Sequence, residues 1–224
     1  MHPGQDGSKR VQRQVARAGV AIGGQLGGGT LFTEPILVVN QKAKLIEVNA
    51  EYAVYDQQGR QIGSVREVGQ SMLRNAVSVA PKSSGKRTLQ IVDQNGQILV
   101  TLTRPANVAK SRVIVRHANG AEIGQIVQKT FGILGKVRFD LVGGGQTLGS
   151  LSADSWGVWD FNIQNMVGSE VARITKGRTA FGGKTSTKKD KYVVEIYEEL
   201  ADPLRSLVVA AALAIDTVLR QNHK

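Results

Sequence analysis

The chain has 224 residues, with 29 Lys and Arg against 18 Asp and Glu and no cysteine, so its formal net charge is +11 at pH 7. The absence of cysteine excludes a disulfide scaffold, a thiolate zinc site and a cysteine nucleophile. The three histidines are too few and too scattered for a histidine metal cage. The positive excess predicts an anionic partner, either nucleic acid or a membrane surface.

Residues 1–30 are predicted to form a flexible basic and glycine-rich tail. Its cations are Lys9, Arg10, Arg13 and Arg17. A secretory signal needs an apolar region of roughly 7–15 residues, and here Arg17 and Gly19 interrupt the apolar stretch. We therefore expect no signal peptide and a cytoplasmic location. The tail is interpreted as a disordered leader, with a basic arm that touches a membrane as the alternative.

From residue 51 to residue 176 the sequence repeats one short unit, an alternating apolar run, a polar turn and a second alternating run. The turn glycines are Gly59, Gly96, Gly120, Gly145 and Gly168. Period-two alternation buries one face of a strand, and Gly or Asn supplies the positive φ of a tight turn. Flanking strands at residues 36–40, 44–56 and 191–196 bring the number of strands to roughly twelve. Such a protein is mainly β and must stack two sheets or close a barrel to hide its strand edges.

One helix is predicted at about residues 203–221. Asp202 suits its N-cap and Pro203 its first turn. Between Arg205 and Asp216 lie nine consecutive residues that are apolar on every face, which is typical of a helix inside a protein or across a bilayer. Because a membrane span needs about 20 mainly apolar residues, we expect a buried central helix.

Four segments carry a resemblance to one protein family. Residues 159–176 read WDFNIQNMVGSEVARITK, and residues 189–196 read KDKYVVEI ahead of DPLRSL in the helix. Near the N-terminus, residues 32–42 read FTEPILVVNQK and residues 52–56 read YAVYD. These segments resemble phospholipid scramblases and LURP-one-related proteins of the tubby-like superfamily, and in particular their compact bacterial members.

The resemblance covers residues 31–221 and implies one tubby-like domain over residues 31–224. That fold is a closed antiparallel barrel of about 12 strands, built from hairpins and enclosing the hydrophobic C-terminal helix. The resemblance also implies a membrane-linked role, with phospholipid translocation claimed for eukaryotic scramblases. The family's calcium segment is acidic, whereas lysines surround Asp190 here, and carboxylates that alternate along a strand do not converge on one ion. We expect no metal and no cofactor. A calcium site is suggested by the family resemblance alone.

The segment 176–191 is the candidate lipid-binding site because it holds six cations against a single acidic residue. The cations are Lys176, Arg178, Lys184, Lys188, Lys189 and Lys191. Near an anionic leaflet each contributes about 1 kcal/mol. We therefore predict a non-enzymatic protein that binds anionic phospholipid peripherally at the inner face of the plasma membrane. The alternative for this segment is a solvated loop that only keeps the protein soluble.

Other functions find less support in the sequence. A phosphate-binding loop at residues 182–185 would need glycine where Arg178 stands. Asp154 and Asp160 flank two tryptophans, and we interpret them as turn and strand-edge residues. Only 5% of the residues are aromatic, which disfavours nucleic acid as a partner because sheet-based binders stack bases on aromatic side chains. The remaining alternative is a soluble barrel that binds a protein partner or a small ligand.

Overall fold

The computed structural model describes residues 3–21, 27–41, 50–68, 86–106, 112–130, 137–154, 160–176 and 191–215. The described chain contains twelve β-strands and two α-helices. The helices are α1 (Pro3–Arg17) and α2 (Leu204–Ala214). The strands are β1 (Ile36–Gln41), β2 (Ala50–Tyr55), β3 (Gln61–Val68), β4 (Arg87–Asp93), β5 (Ile98–Arg104), β6 (Arg112–His117), β7 (Glu122–Thr130), β8 (Val137–Gly143), β9 (Gln146–Ala153), β10 (Asp160–Asn165), β11 (Glu170–Thr175) and β12 (Lys191–Ile196).

The strands form one closed antiparallel barrel. Each strand pairs with its neighbours in the chain, and β1 pairs with β12 to complete the ring. In that closing pair Leu37 lies opposite Val194, and Val39 lies opposite Tyr192. Closure leaves no unpaired strand edge. The barrel of twelve strands is therefore confirmed, and the alternative of two stacked sheets is excluded.

The short turns have the backbone geometry that the glycine spacing predicts. Gly59, Gly96, Gly120 and Gly168 have φ between +80° and +88°. Each ends a three-residue loop, as in the β4–β5 hairpin, where the N–H of Gly96 donates to the carbonyl of Asp93 at 3.1 Å. Because this conformation strains side chains with a Cβ, the repeated glycines fix these four hairpins in register.

The core of the barrel contains residues from all twelve strands and from α2. The apolar run at residues 207–215 is at most 1% exposed along its whole length. The hydroxyl of Tyr192 in β12 donates to the carbonyl of Ala212 at 3.0 Å, and Asp202 accepts the backbone N–H of Ser206 at 3.1 Å. The enclosed helix is thus confirmed. The predicted residues 216–221 lie outside the described residues.

Helix α1 stands where we expected a flexible tail. It packs on the outer surface of the barrel through Val11 and Val15, which are 3% and 0% exposed and lie one helical turn apart. These side chains join Ile36, Val38 and Val193 in a second apolar cluster. Because Ile36, Val38 and Val193 face outward, an uncovered barrel would expose these apolar side chains to water, and α1 covers them.

Three hydrogen bonds, from Ser8 and Gln14, fix the direction of α1 along the barrel. The hydroxyl of Ser8 donates to the carbonyl of Gln58 at 2.7 Å. The amide of Gln14 donates to the carbonyls of Val39 and Tyr192 at 3.4 and 3.3 Å. Among the described residues, neither helix has the length and hydropathy that a membrane span requires.

Candidate functional site

The two ends of the barrel are built from different connections. The five short glycine turns all lie at one end, hereafter the turn end, because successive strands run in opposite directions. At the other end, hereafter the connection end, the strand termini flank the stretches 42–49, 69–85, 107–111, 131–136, 155–159 and 177–190. In the direction fixed by the hydrogen bonds of Ser8 and Gln14, α1 starts beside the turn end and runs toward the connection end.

The predicted lipid-binding residues belong to the connection end. Lys176 directly follows β11, and Lys191 is the first residue of β12, the strand that pairs with β11. Both side chains are half-buried. The other four cations of the prediction lie outside the described residues: Arg178, Lys184, Lys188 and Lys189. The structure thus places the two flanking lysines on adjacent strands, and the grouping of all six stays a prediction.

Helix α1 adds a cationic face that the sequence did not predict as structured. Lys9, Arg10, Arg13 and Arg17 are all exposed on the side away from the barrel. Residues 8–21 contain no Asp or Glu, and among the side chains that the structure describes none forms an ion pair with the four cations. The i, i+4 spacing of Val11 and Val15, together with the apolar outer face of β1, could have indicated this amphipathic helix.

Charge differs in sign between the two ends. Among the described residues near the turns, the acidic side chains are Asp56, Asp93, Glu122, Glu170, Glu198, Glu199 and Asp202. The cations near them are Arg60, Arg116, Arg173 and the buried Arg205. The six stretches that the connection end flanks contain ten Lys and Arg and two acidic residues. The described turn end is therefore mainly acidic, whereas the sequences of the six flanked stretches are mainly basic.

Two arginines, Arg87 and Arg104, lie on adjacent strands at the connection end. Arg87 in β4 makes a bidentate ion pair with Glu67, with both N···O distances at 2.7 Å. Arg104 lies opposite Arg87 in β5. Burial, and next the charge of Arg87, lower the pKa of Arg104. The charge of Arg87 thus acts on Arg104 across the β4–β5 pair.

The acidic side chains on β10–β12 form a structural network. Arg173 makes a bidentate pair with Asp160 at 2.7 and 2.9 Å and contacts Glu170 at 3.2 Å. The hydrogen bond to Asp160 is the largest cause of the raised pKa of Arg173. Burial, and next the charge of Glu170, raise the pKa of Glu195, and burial raises that of Tyr197 to about 12. Asp160 thus has a charge partner along the strands, consistent with its expected strand-edge role.

The described residues contain no group of three His, Asp or Glu side chains that could hold a metal ion. The calcium site that the family resemblance raises therefore gains no ligand set from this part of the chain. The absence of a cofactor stays a prediction.

A closed twelve-stranded barrel around its own C-terminal helix is the fold that the family resemblance implied. The sequence model of the scramblase family matches residues 28–220, and the chain belongs to this family. A protein from Arabidopsis thaliana with an X-ray structure is similar at 16% identity and a TM-score of 0.47, over 84% of this chain and 96% of that one. In a comparison with curated proteins, no sequence matches the chain.

Proposed function

We propose that the protein binds peripherally to anionic phospholipid membranes at the inner face of the plasma membrane. The contact surface consists of the cationic face of α1 and the cations of the connection end, hereafter the basic surface. The single observation that carries the proposal is the separation of charge, with exposed cations on α1 and acidic side chains around the turns. Membership of the scramblase family supports the same function.

The position of α1 allows its cations and those of the segment 176–191 to contact the same membrane surface. Gln14 reaches the carbonyl of Tyr192, which adjoins Lys191 at the start of β12. The C-terminal half of α1, with Arg13 and Arg17, therefore extends toward the connection end and the segment 176–191. A membrane that meets this corner of the barrel contacts both groups of cations at once.

The expected affinity is electrostatic and depends on salt. Each Lys or Arg near an anionic leaflet contributes about 1 kcal/mol, and this attraction decays within a Debye length of about 8 Å at physiological ionic strength. Four cations on α1 and the six of the segment 176–191 are enough for measurable binding without a lipid anchor. The binding should weaken strongly as salt is added.

Phospholipid translocation is the activity that family membership suggests, and it forms the finer part of the proposal. The described barrel interior is filled by α2, so lipid would move along the outside of the barrel or through a rearranged one. Exchange of labelled phospholipid between leaflets of vesicles that contain the protein tests this activity separately from binding. We propose no catalytic role for any described residue.

A matched pair of variants tests the membrane contact. Replacing Lys188 and Lys189 by Ser removes two charges from the predicted site, and replacing Arg60 and Arg116 by Ser removes two from the turn end. Co-sedimentation with anionic vesicles should show a loss of about 30-fold for the first variant, from about 2 kcal/mol. The second variant should bind almost like the unchanged protein. Equal losses in both would refute the proposed orientation.

A soluble binding module is the second candidate function, because the turn end contains a pocket. That pocket lies among acidic side chains, away from the basic surface. Its lining includes Phe32, Leu200 and the buried Arg205.

A further inference from the structure

One corner of the turn end exposes large apolar side chains to solvent. Met166 and Val167, at the tip of the β10–β11 hairpin, are 71% and 79% exposed, and Tyr197, directly after β12, is 44% exposed. The backbone N–H of Tyr197 donates to the carbonyl of Val171 at 3.0 Å, so the tyrosine lies beside this hairpin. Met166, Val167 and Tyr197 are hereafter the exposed patch.

The fold does not require apolar residues at this hairpin tip. Three other hairpins end in a glycine of the same positive φ as Gly168, and they carry mainly polar residues at the two matching positions. These residues are Gln57 and Gln58, Gln94 and Asn95, and Ala118 and Asn119. Because neighbouring exposed apolar side chains mark contact surfaces in soluble proteins, the exposed patch indicates a docking site.

The charges around the exposed patch restrict what could cover it. Glu198 and Glu199 are exposed, and residues 192–204 contain no Lys or Arg. Of the described cations nearby, Arg173 is paired with carboxylates, and Arg205 is buried. This corner therefore repels an anionic surface and attracts a cationic one.

A cationic surface of this kind lies next to the exposed patch on the same molecule. Helix α1 packs on β12 through Val193, and Glu198 and Glu199 lie just beyond the end of the same strand. The exposed cations of α1 are Lys9, Arg10, Arg13 and Arg17. Because the two surfaces of opposite charge are neighbours, a second copy related by a two-fold axis can place each α1 against the other copy's patch. Such an interface repeats the same contact twice and closes on itself.

We propose that the chain forms a two-fold symmetric dimer in which the exposed patch of each copy contacts the cationic face of α1 of the other. Glu198 and Glu199 pair with the guanidinium groups of Arg10 and Arg13. Met166 and its neighbours in the patch pack against the aliphatic stems of these arginines.

Ionic strength and membranes should both act on this dimer. The net charge of +11 repels two copies at long range, and physiological salt screens that repulsion beyond about 8 Å while leaving the contact charges close together. The dimer uses the cations of α1 that we propose for membrane binding, so the dimer and the membrane-bound form exclude each other. The proposal does not rest on the membrane function, because vesicle binding of the unchanged protein is measured independently.

Sedimentation velocity of the full chain at physiological ionic strength and rising protein concentration should show a monomer–dimer equilibrium. The variant M166S/V167S should weaken the dimer about tenfold with an unchanged melting temperature, because both side chains are exposed. The control Q94S/N95S changes the matching tip of the β4–β5 hairpin and should dimerise normally. A protein that stays monomeric, or a dimer that M166S/V167S leaves unchanged, would overturn the proposal.

A charge exchange tests which surfaces meet. The variant R10E/R13E and the variant E198K/E199K should each be monomeric, because like charges then face each other in both contacts. An equimolar mixture of the two variants restores opposite charges in both contacts and should form a one-to-one dimer. All four positions are exposed, so both variants should keep the melting temperature of the unchanged protein. A mixture that stays monomeric, or a single variant that still dimerises, would overturn the assignment to these surfaces.

Discussion

The two helices of this protein make opposite use of the same barrel. Helix α2 lies inside it, with its apolar run at residues 207–215 at most 1% exposed. Helix α1 lies outside, with Val11 and Val15 against the barrel and four cations toward solvent. The difference follows from sequence pattern, since a helix that is apolar all round must be enclosed, whereas one with a single apolar stripe covers a surface.

This contrast separates stability from binding. The packing of α2 involves residues of all twelve strands, so changes in α2 should affect the whole fold. The cations of α1 are exposed, so changes there should affect an anionic partner and leave the fold intact. Four predictions sharpen the contrast, from the largest expected effect to the smallest.

Replacing Leu213 by Asp should abolish cooperative folding. Leu213 is 1% exposed in the core that surrounds α2, and an unpaired carboxylate there should cost more than about 4 kcal/mol. Leu213→Met, which conserves volume, should cost less than about 1.5 kcal/mol. Urea unfolding followed by circular dichroism measures both. A folded and soluble Asp variant would contradict the enclosure of α2.

Replacing Arg10, Arg13 and Arg17 together by Gln should reduce affinity for anionic vesicles by about 100-fold at low salt, from about 3 kcal/mol. Stability should change by less than about 0.5 kcal/mol, because all three side chains are exposed. The matched control with Lys at the same positions keeps the charge and should bind normally. If the Gln variant co-sediments like the unchanged protein, α1 is not part of the contact surface.

Replacing Val15 by Asp should detach α1 and spare the barrel. Burying a Val side chain is worth about 1.5–3 kcal/mol. Val15 is 0% exposed because it lies on the face of α1 that packs against the barrel. Hydrogen exchange should accelerate at the amides of α1 and stay slow at those of α2. The exposed neighbour Ala16→Asp serves as control. Loss of protection in α2 as well would show that α1 belongs to the same cooperative unit.

Replacing Glu195 by Gln should stabilise the protein slightly at neutral pH. Burial and the charge of Glu170 raise the pKa of Glu195, so the folded protein binds that proton more tightly than the unfolded chain does. The resulting penalty is complete above the folded pKa and is lost as the pH falls to about 4, near the ordinary pKa of glutamate. The stabilisation by this substitution should stay within about 0.5 kcal/mol at neutral pH and should vanish at acidic pH. Thermal unfolding at both pH values measures it. A gain that persists there would have another cause.

The sequence predicted the parts of the fold that depend on local pattern. The hairpins followed from alternation around residues such as Gly96 and Gly120, and α2 from its uninterrupted apolar run. Periodicity alone could not distinguish two stacked sheets from a closed barrel, because the β1–β12 pairing that closes the barrel joins residues far apart in the chain. The family resemblance favoured the barrel. Helix α1 was missed because its few apolar residues gain stability only from the apolar outer face of β1 and β12, a tertiary effect.

The candidate surfaces were predictable to different extents. Counting cations identified the segment 176–191 and the cations of residues 1–30, but a count cannot show that Arg13 and Arg17 share one exposed face. The pocket gave no sequence signal. It joins Phe32 to Arg205 across the closing strands and therefore exists only in three dimensions.

The most direct test of the central claim is co-sedimentation of the unchanged protein with vesicles of increasing anionic phospholipid content across a salt series. The basic surface predicts bound protein that rises steeply with the anionic fraction and falls as salt is added. Binding that is the same on neutral and anionic vesicles, or absent from anionic vesicles at low salt, would contradict it.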